Sequence, residues 1–275
     1  MKKITRIILV IIISFILYCL WANTALEVNH YTISNHNLPE SFNGYRIAHT
    51  SDVHNTKNKD LIPLLIESKP ELIAITGDLI DSRNTNIKVA LEFVQEAMKI
   101  APCYYVTGNH ESRVNEYEEL RNGLIDLGVI LLENQKIELL KDQDKITILG
   151  LNDPSFETDY LFGDDKTLIS NYLNILSKED DNFTILLSHR PELFDIYVEY
   201  NINLILSGHA HGGQFRLPFV GGLIAPNQGL FPKYDSGLFT MNDTNMIVSK
   251  GIGNSIIPLR FNNRPEIIII ELKNK

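Results

Sequence analysis

The sequence contains few cysteines. Only Cys19 and Cys103 occur among its 275 residues, and no Cys-x-x-Cys motif is present. Cys19 lies inside an apolar segment and Cys103 at the start of a predicted strand, so a disulfide bond between them is implausible. Cysteine usage therefore excludes a Cys-x-x-Cys centre, and it gives no indication of the compartment in which the protein works.

Long basic runs are also absent. The 25 Lys and Arg residues are outnumbered by 34 Asp and Glu residues, which gives a formal net charge of -9. Proteins that bind nucleic acids by neutralising phosphates carry clustered positive charge, so we expect no nucleic-acid partner. A negatively charged protein that binds a phosphate needs a local source of positive charge, and metal ions can supply it. The hydrophobic content of 44% suits one sizeable globular domain with a small appendage.

Charged residues are absent from the stretch at residues 7–26. A helix of about 20 residues is roughly 30 Å long, which is enough to cross a bilayer. Lys2, Lys3 and Arg6 precede this stretch, and Arg46 is the next basic residue after it. The positive-inside rule therefore predicts a cytoplasmic N-terminus at residues 1–6 and a single-pass anchor at residues 7–26. The main domain would then lie on the extracytoplasmic side of the cell membrane.

A cleaved signal peptide is the alternative interpretation of this segment. The sequence Asn23-Thr24-Ala25 is a poor cleavage site, and Tyr18 before Cys19 argues against a lipoprotein signal. We therefore favour an uncleaved anchor, followed by a polar connector at residues 27–43 and one main domain at residues 44–275.

Strand and helix patterns alternate along the main domain. Short apolar runs predict strands at residues 46–50, 71–76, 103–107, 128–132, 145–151, 183–187 and 203–206. Amphipathic segments predict helices at residues 60–67, 87–100, 116–127, 167–176 and 192–200. This alternation indicates an α/β fold with covered sheets. We expect further strands at residues 238–241, 245–249 and 265–272 to complete a second sheet.

Five short clusters of His, Asp and Asn residues follow the predicted strands. They are Asp52-Val53-His54, Gly77-Asp78, Gly108-Asn109-His110-Glu111, Ser188-His189 and Gly208-His209-Ala210-His211. Functional groups of open α/β sheets gather beyond the carboxyl ends of the strands. We therefore expect the five clusters to belong to one site.

These clusters offer seven metal-binding side chains, namely Asp52, His54, Asp78, Asn109, His189, His209 and His211. A tetrahedral structural ion needs four ligands, whereas seven suit two ions if one carboxylate bridges them. Nitrogen and oxygen ligands without thiolates favour Mn, Fe, Zn or Co over Ca or Mg. Two divalent ions beside two carboxylates retain about two positive charges, so they attract an anion. Such centres activate water and bind a phosphoryl group.

In their order and completeness, the five clusters resemble those of the calcineurin-like metallophosphoesterases, over roughly residues 44–272. The resemblance implies a four-layer αββα sandwich of two mixed β-sheets flanked by helices, here preceded by one transmembrane helix. It implies that one metal is held by Asp52, His54, Asp78 and His211. The other would be held by Asp78, Asn109, His189 and His209, with Asp78 bridging.

The same resemblance implies roles in catalysis. A hydroxide between the metals would attack phosphorus, and His110, oriented by Glu111, would stabilise charge or protonate the leaving oxygen. The segments 225–229 and 251–255 are similar to the membrane-associated bacterial branch that resembles UDP-2,3-diacylglucosamine hydrolases. Arg190 and Arg113 flank the clusters and are candidates to bind a substrate phosphate, with surface salt bridges as the alternative.

Other polar residues have simpler interpretations. His49 is expected to be a packed histidine that supports the site, and Asp81 a carboxylate at a helix start. Cys103 is expected in the core.

We therefore expect a dinuclear metal-dependent phosphoesterase that cleaves phosphate ester or pyrophosphate bonds. The anchor suggests a phosphorylated substrate near the membrane, such as a lipid-linked phosphate. Two alternatives are a general phosphodiesterase or phosphatase for soluble nucleotides and a non-catalytic, metal-stabilised scaffold of the cell envelope. The scaffold is less favoured because every ligand position and His110 are retained. The motifs distinguish neither monoesters, diesters and pyrophosphates nor any oligomeric state.

Overall fold

Helices and strands alternate along the chain in the computed structural model, which describes residues 2–158, 164–178, 181–254 and 259–275. The helices are α1 (Lys2–Thr24), α2 (Leu61–Ser68), α3 (Ile87–Met98), α4 (Tyr117–Asp126), α5 (Asp165–Leu176) and α6 (Phe194–Tyr197). The strands of the first half are β1 (Glu27–Asn35), β2 (Arg46–Thr50), β3 (Leu72–Thr76), β4 (Cys103–Val106), β5 (Ile130–Leu131), β6 (Gln135–Lys141) and β7 (Asp144–Gly150).

The second half continues with β8 (Thr184–Leu187), β9 (Leu204–Ser207), β10 (Arg216–Leu217), β11 (Gly221–Gly222), β12 (Ile224–Ala225), β13 (Gly229–Leu230), β14 (Gly237–Met241), β15 (Thr244–Val248) and β16 (Glu266–Asn274). Met1 and Ser255, which fall within segments interpreted from the sequence, lie outside the described residues.

Two six-stranded mixed sheets carry the fold. The first has the order β1-β16-β2-β3-β4-β5, and the second has the order β14-β15-β9-β8-β7-β6. Strands β2 to β5 are parallel, as are β7, β8, β9 and β15. The antiparallel neighbours are β16 beside β2, β6 beside β7 and β14 beside β15.

The side chains of each strand alternate between two hydrophobic layers. In β3, Leu72 and Ala74 pack between the sheets, whereas Ile73 and Ile75 pack against α2, α3 and α4. In the second sheet, Leu187 packs between the sheets, and the neighbouring Leu186 faces α5 and α6. Successive strand side chains point to opposite faces, so both sheets are covered twice. The predicted four-layer αββα sandwich of two mixed sheets is confirmed.

Helix α3 illustrates why these segments are helical. Its buried residues Ile87, Ala90 and Val94 recur at intervals of three or four positions, which places them on one face of a helix. The side chain of Asn86 accepts a hydrogen bond from the Val89 backbone N–H at 3.2 Å. This N-cap satisfies one of the donors that a helix start leaves unpaired.

The last strand, β16, joins a different sheet from the one predicted from the sequence. Residues 265–272 were expected to complete the second sheet, but β16 lies in the first sheet, between β1 and β2. Ile267 and Ile269 pack towards the helices, and Ile268 and Ile270 pack between the sheets. A central strand that is buried on both faces has a continuous apolar sequence, and such a run does not indicate which sheet it joins.

The predicted connector is partly a strand. Residues 27–35 form β1, which pairs in parallel with β16 at the edge of the first sheet. Its sequence is polar because an edge strand is half solvated: His30 and Thr32 are partly or fully exposed, whereas Ile33 is buried. Strand β6, at the edge of the second sheet, was also not predicted, and its sequence is polar for the same reason.

The helix predicted at residues 192–200 is shorter in the structure, where it consists of a 3-10 turn followed by the single turn α6.

Helix α1 is long and apolar enough to cross a membrane. It ends at Thr24 rather than at Leu26, and its last turns pack on the main domain. The rings of Phe15 and Tyr18 lie 5.7 and 5.8 Å from that of Phe261, and the Arg264 guanidinium lies 5.1 Å from the ring of Trp21. The helix is therefore attached to the domain by packing as well as by the chain.

Candidate metal centre

All seven predicted ligands lie at one edge of the sandwich. They follow the carboxyl ends of β2, β3 and β4 in the first sheet and of β8 and β9 in the second, and all seven are buried. Their loops are hydrogen-bonded to one another: the Asp52 N–H donates to the Gly77 carbonyl at 3.1 Å, and the Gly208 N–H donates to the His189 carbonyl at 3.2 Å. Parallel strands from both sheets thus bring the clusters together, as expected.

One group of ligand atoms comes from Asp52, His54, Asp78 and His211. The Nε2 atoms of His54 and His211 lie 3.3 Å apart, and Asp52 Oδ1 lies 3.3 Å from His211 Nε2. Asp78 Oδ2 lies 3.6 Å from His54 Nε2. Ligands bound to one ion at about 2.0–2.2 Å are about 3–3.5 Å from one another. This group therefore has the spacing of a metal site.

A second group shares Asp78 with the first. Asp78 Oδ2 lies 3.3 Å from His189 Nε2, which lies 3.1 Å from His209 Nδ1. Asn109 Oδ1 is buried without a hydrogen-bond partner. Buried amide oxygens are almost always paired, so this unpaired acceptor beside the group fits a ligand for a cation. Asp78 Oδ2 is the atom that the two groups share.

Backbone carbonyls fix the orientation of two imidazoles. His54 Nδ1 lies 3.2 Å from the Ile80 carbonyl, and His189 Nδ1 lies 2.7 Å from the Thr76 carbonyl. A carbonyl can only accept, so Nδ1 carries the proton in both rings and Nε2 is directed into the site. Such a partner on the far ring nitrogen is typical of histidines that bind metals.

Five of the ligands have backbone conformations that side chains seldom adopt. The positive φ angles are 51° for Asp52, 47° for His54, 52° for Asp78, 66° for His209 and 48° for His211. A left-handed conformation costs roughly 1–2 kcal/mol for an L-residue. Strain of this kind concentrates at functional sites, where the surrounding structure enforces it.

Two glycines allow the ligand loops to approach each other. A Cβ atom at Gly108 would lie 2.2 Å from Asp78 Oδ1, and one at Gly208 would lie 2.4 Å from Asp52 Oδ2. No side chain fits at either position without displacing a carboxylate ligand. Backbone N–H groups instead hold these carboxylates: His110 donates to Asp78 Oδ1 at 2.9 Å, and His209 donates to Asp52 Oδ2 at 3.1 Å.

Burial determines the protonation of most of the site. It lowers the pKa of His54 to about 4 and holds the pKa of His209 and His211 well below the usual range. These rings are therefore neutral, which is the form that binds metals. His189 differs: burial opposes its charge, but the nearby Asp78 carboxylate raises its pKa to about 10. Burial, reinforced by Asp78, raises the pKa of Asp52 to about 6.

His110 lies beside the shared carboxylate, with Nε2 4.0 Å from Asp78 Oδ2. Its Nδ1 accepts a hydrogen bond from the Ser82 N–H at 2.9 Å, and Asp81 Oδ1 lies 3.5 Å away. Burial lowers the pKa of His110, so its neutral ring carries the proton on Nε2, the nitrogen nearer the ligands. Ser82 therefore orients this ring. Asp81 is not a helix-start carboxylate, because the next helix begins at Ile87.

The expectation that Glu111 orients His110 is wrong. The buried Glu111 carboxylate accepts hydrogen bonds from the N–H groups of Gly108, Asp78 and Ile80 at 2.8, 3.0 and 3.3 Å. Burial and the charge of Asp78 raise its pKa to about 8. Glu111 thus fastens the loop that carries Asp78 to the loop that carries Asn109.

The two candidate phosphate-binding arginines have different environments. Arg113 lines the cleft above the ligands, together with Arg83, Pro226 and Asn227. Arg190 is buried, and its guanidinium binds both carboxylate oxygens of Asp153, with Nη2 2.8 Å from Oδ1. Since Asp153, Ser155 and Glu192 accept hydrogen bonds from this guanidinium, the structure does not support direct phosphate binding by Arg190. Its Nη1 instead lies 3.4 Å from His209 Nε2.

Several residues that support the ligands carry little signal in the sequence. Asn227 Oδ1 lies 3.0 Å from His209 Nε2. Because His209 directs Nδ1 towards the second group, its Nε2–H can donate to Asn227, which then sets the ring orientation. Asn227 belongs to the segment 225–229, and the similarity of that segment to the membrane-associated bacterial branch was the only signal. The Asn263 side chain donates to the His211 carbonyl at 2.7 Å. His49 is a packed histidine, as expected, 2.8 Å from Thr76 Oγ1.

Comparison with known proteins gives a family match across the site. The model of the family described as calcineurin-like phosphoesterase matches residues 45–213, the span that holds all seven ligands.

Three curated relatives extend beyond that span. The uncharacterized metallophosphoesterase YkuE of Bacillus subtilis is 31% identical, over 90% of this chain and 86% of its own length. The phosphodiesterase YaeI of Escherichia coli is 27% identical, over 83% and 82%. A Danio rerio transmembrane protein with a metallophosphoesterase domain is 29% identical, over 86% of this chain and 55% of its own length. Together with α1, the last relative suggests a membrane protein.

Proposed function

Because this chain belongs to the calcineurin-like phosphoesterase family and is a metal-dependent phosphoric ester hydrolase, we propose that it holds two divalent ions and cleaves a membrane-associated phosphodiester or pyrophosphate. The shared position of Asp78 Oδ2, between a group with His54 and a group with His189, carries the proposal of two ions. The donor set suits Mn, Fe, Zn or Co, and manganese is the first ion to test.

The residues present divide the work of hydrolysis. Two ions in these positions would activate a water and neutralise charge on the phosphoryl oxygens. His110 holds its proton on Nε2, beside the shared carboxylate, and would donate it to the leaving oxygen. Arg113 lines the cleft, where its guanidinium would bind a non-reacting phosphate oxygen. The ligands themselves are buried at the base of this cleft.

We assign positioning roles to the residues behind the ligands. The buried pair of Arg190 and Asp153 lies beside His209 on the side away from the site, where burial and the Arg190 charge keep the His209 ring neutral. Glu111 holds Asp78 through its backbone N–H. Arg190, Asp153 and Glu111 do not line the cleft. Their substitution would therefore change turnover by displacing the ligands beside them.

A membrane-associated substrate is the finer part of the proposal. Helix α1 and the transmembrane relative support attachment to a membrane, and the basic residues before α1 favour an extracytoplasmic domain. A lipid-linked diphosphate, of the kind cleaved by UDP-2,3-diacylglucosamine hydrolases, would suit such a site. The phosphodiesterase name of the Escherichia coli relative supports cleavage of a diester, and a phosphodiesterase for soluble nucleotides is the alternative.

Metal analysis and a substrate screen test the proposal. Full-length protein purified in detergent and reconstituted with Mn should contain about two ions per chain, and Asp78→Asn should contain almost none. Glu138→Gln, an exposed carboxylate on β6, is the matched control and should bind as the wild type does. Hydrolysis is then compared for an aryl monoester, an aryl diester and a diacyl lipid pyrophosphate. A metal content near zero in the wild-type protein would refute the assignment.

A further inference from the structure

Exposed apolar side chains concentrate in one segment of the described domain. Outside α1, large exposed hydrophobic residues occur singly on several elements, but six of them lie between residues 217 and 231. We call this group the apolar rim: Leu217, Phe219, Val220, Ile224, Leu230 and Phe231. Single exposed hydrophobic residues are normal on soluble proteins, whereas a contiguous group marks a surface of interaction.

The rim is built by two short hairpins. Strands β10 and β11 flank the turn that carries Phe219, and β12 pairs with β13 just before Phe231. The Phe231 N–H donates to the Leu223 carbonyl at 2.9 Å, and the Val220 N–H donates to the Leu217 carbonyl at 3.2 Å. The exposed rings are therefore presented by hydrogen-bonded turns.

The rim is continuous with the surface on which α1 packs. The Phe261 ring contacts Phe15 and Tyr18 of α1, and the Phe261 carbonyl accepts a hydrogen bond from the N–H of Arg216, the first residue of β10, at 3.0 Å. Phe15 precedes the end of α1 at Thr24 by a distance of roughly 14 Å along the axis, at about 1.5 Å per residue. The domain therefore contacts α1 at positions that would lie inside a bilayer.

We propose that the apolar rim contacts the bilayer that α1 enters and holds the metal centre at the lipid surface. This inference rests on the proposed membrane association and deepens it. The segment that carries the rim also carries Pro226 and Asn227, which line the cleft. A phosphate on a lipid head group would therefore reach the cleft from the membrane plane, with its acyl chains still in the bilayer.

Fluorescence quenching by the lipid itself tests this contact. Full-length protein with Cys19→Ala and Cys103→Ala is reconstituted into vesicles of phosphatidylethanolamine and phosphatidylglycerol whose acyl chains are brominated. Single cysteines introduced as Phe219→Cys and Phe231→Cys carry a bimane label. Leu140→Cys and Ile175→Cys are matched controls, because these side chains are 71% and 72% exposed and belong to β6 and α5 rather than to the rim.

Brominated lipids should quench the labels at 219 and 231 several-fold more than those at 140 and 175. Equal quenching at all four positions would overturn the proposal. Self-quenching at 219 that grows with protein density, without quenching by lipid, would assign the rim to a second copy of the chain and would also overturn it. Hydrolysis of bis(para-nitrophenyl) phosphate by each variant confirms that it is folded.

A kinetic comparison separates this proposal from the proposed function. Phe219→Ser with Phe231→Ser should raise KM for a diacyl lipid pyrophosphate in vesicles by at least about ten-fold, because two aromatic side chains would no longer be buried in the bilayer. Its kcat for that lipid and its hydrolysis of the soluble diester should not change. An unchanged KM would contradict the proposed membrane contact of the rim and would leave the proposed function intact. If no variant hydrolyses a phosphoester but brominated lipids still quench the rim labels, the proposed function is refuted and the membrane contact of the rim is retained.

Discussion

Replacement of Asp153 by asparagine would remove the carboxylate that neutralises a buried arginine. The side chains of Asp153 and Arg190 are 0% and 2% exposed, and at least two hydrogen bonds join them. Removal of one partner of a buried ion pair typically destabilises a protein by about 3–5 kcal/mol, because the remaining charge is left without compensation. The pair between Lys145 and Glu138 is about half exposed, so Glu138→Gln should cost less than about 1 kcal/mol.

The pH dependence gives a second measure of the same pair. Burial would raise the pKa of Asp153, but the Arg190 guanidinium lowers it from 3.8 to about 2. A carboxyl whose pKa is lower in the folded state contributes stability above its unfolded pKa, and that contribution is lost as the pH falls through the folded value. The difference corresponds to about 2 kcal/mol. The loss should therefore occur between about pH 4 and pH 2, and Asp153→Asn should lack this component.

The assay is denaturant unfolding of the full-length protein in detergent, followed by circular dichroism at several pH values. It compares the wild type, Asp153→Asn, Glu138→Gln and the double variant Asp153→Asn with Arg190→Met. The double variant should recover part of the stability, because no buried charge is left unpaired. The reasoning is refuted if Asp153→Asn costs no more than Glu138→Gln, or if the double variant is less stable than the single one.

Three further predictions concern the metal centre. His110→Ala should retain its metal content by mass spectrometry but lower kcat about a hundred-fold to ten-thousand-fold for substrates with poor leaving groups; loss of the metal would contradict its role as a proton donor. Asn109→Ala should reduce the metal content from about two ions to about one, and an unchanged content would show that its unpaired oxygen is no ligand. Asn227→Ala should weaken metal binding by about ten- to hundred-fold in competition with a chromophoric chelator, and wild-type affinity would exclude its support of His209.

The order of elements and the location of the ligands follow from local sequence. Strands β2, β3, β8 and β9 are short apolar runs that end at chemically distinctive residues, and parallel strands bring such ends together. Local patterns also gave the amphipathic helices, since burial of one face repeats every three or four residues. These features could be predicted because each depends on only a few neighbouring residues.

Features that depend on partners distant in sequence could not be predicted. The polar edge strand β1 is a strand because β16 pairs with it, more than 200 residues later. Arg190 and Glu111 were assigned from their proximity to ligands in sequence, but their partners are Asp153 and the N–H groups of neighbouring loops. Positive φ angles at Asp52 and His211 also result from tertiary contacts, since neither residue type requires them.

The separation between the two ligand groups depends on how the sheets pack. Asp78 comes from the first sheet, whereas His189 and His209 come from the second, and each donates a hydrogen bond to a group on another loop or strand. A shift of one sheet against the other would change every distance to Asp78 Oδ2. The buried layer between the sheets therefore fixes the geometry of the chemistry. The hairpins at residues 216–230 lie outside that layer, so residues of these hairpins other than Asn227 can change without altering the distances between the ligands.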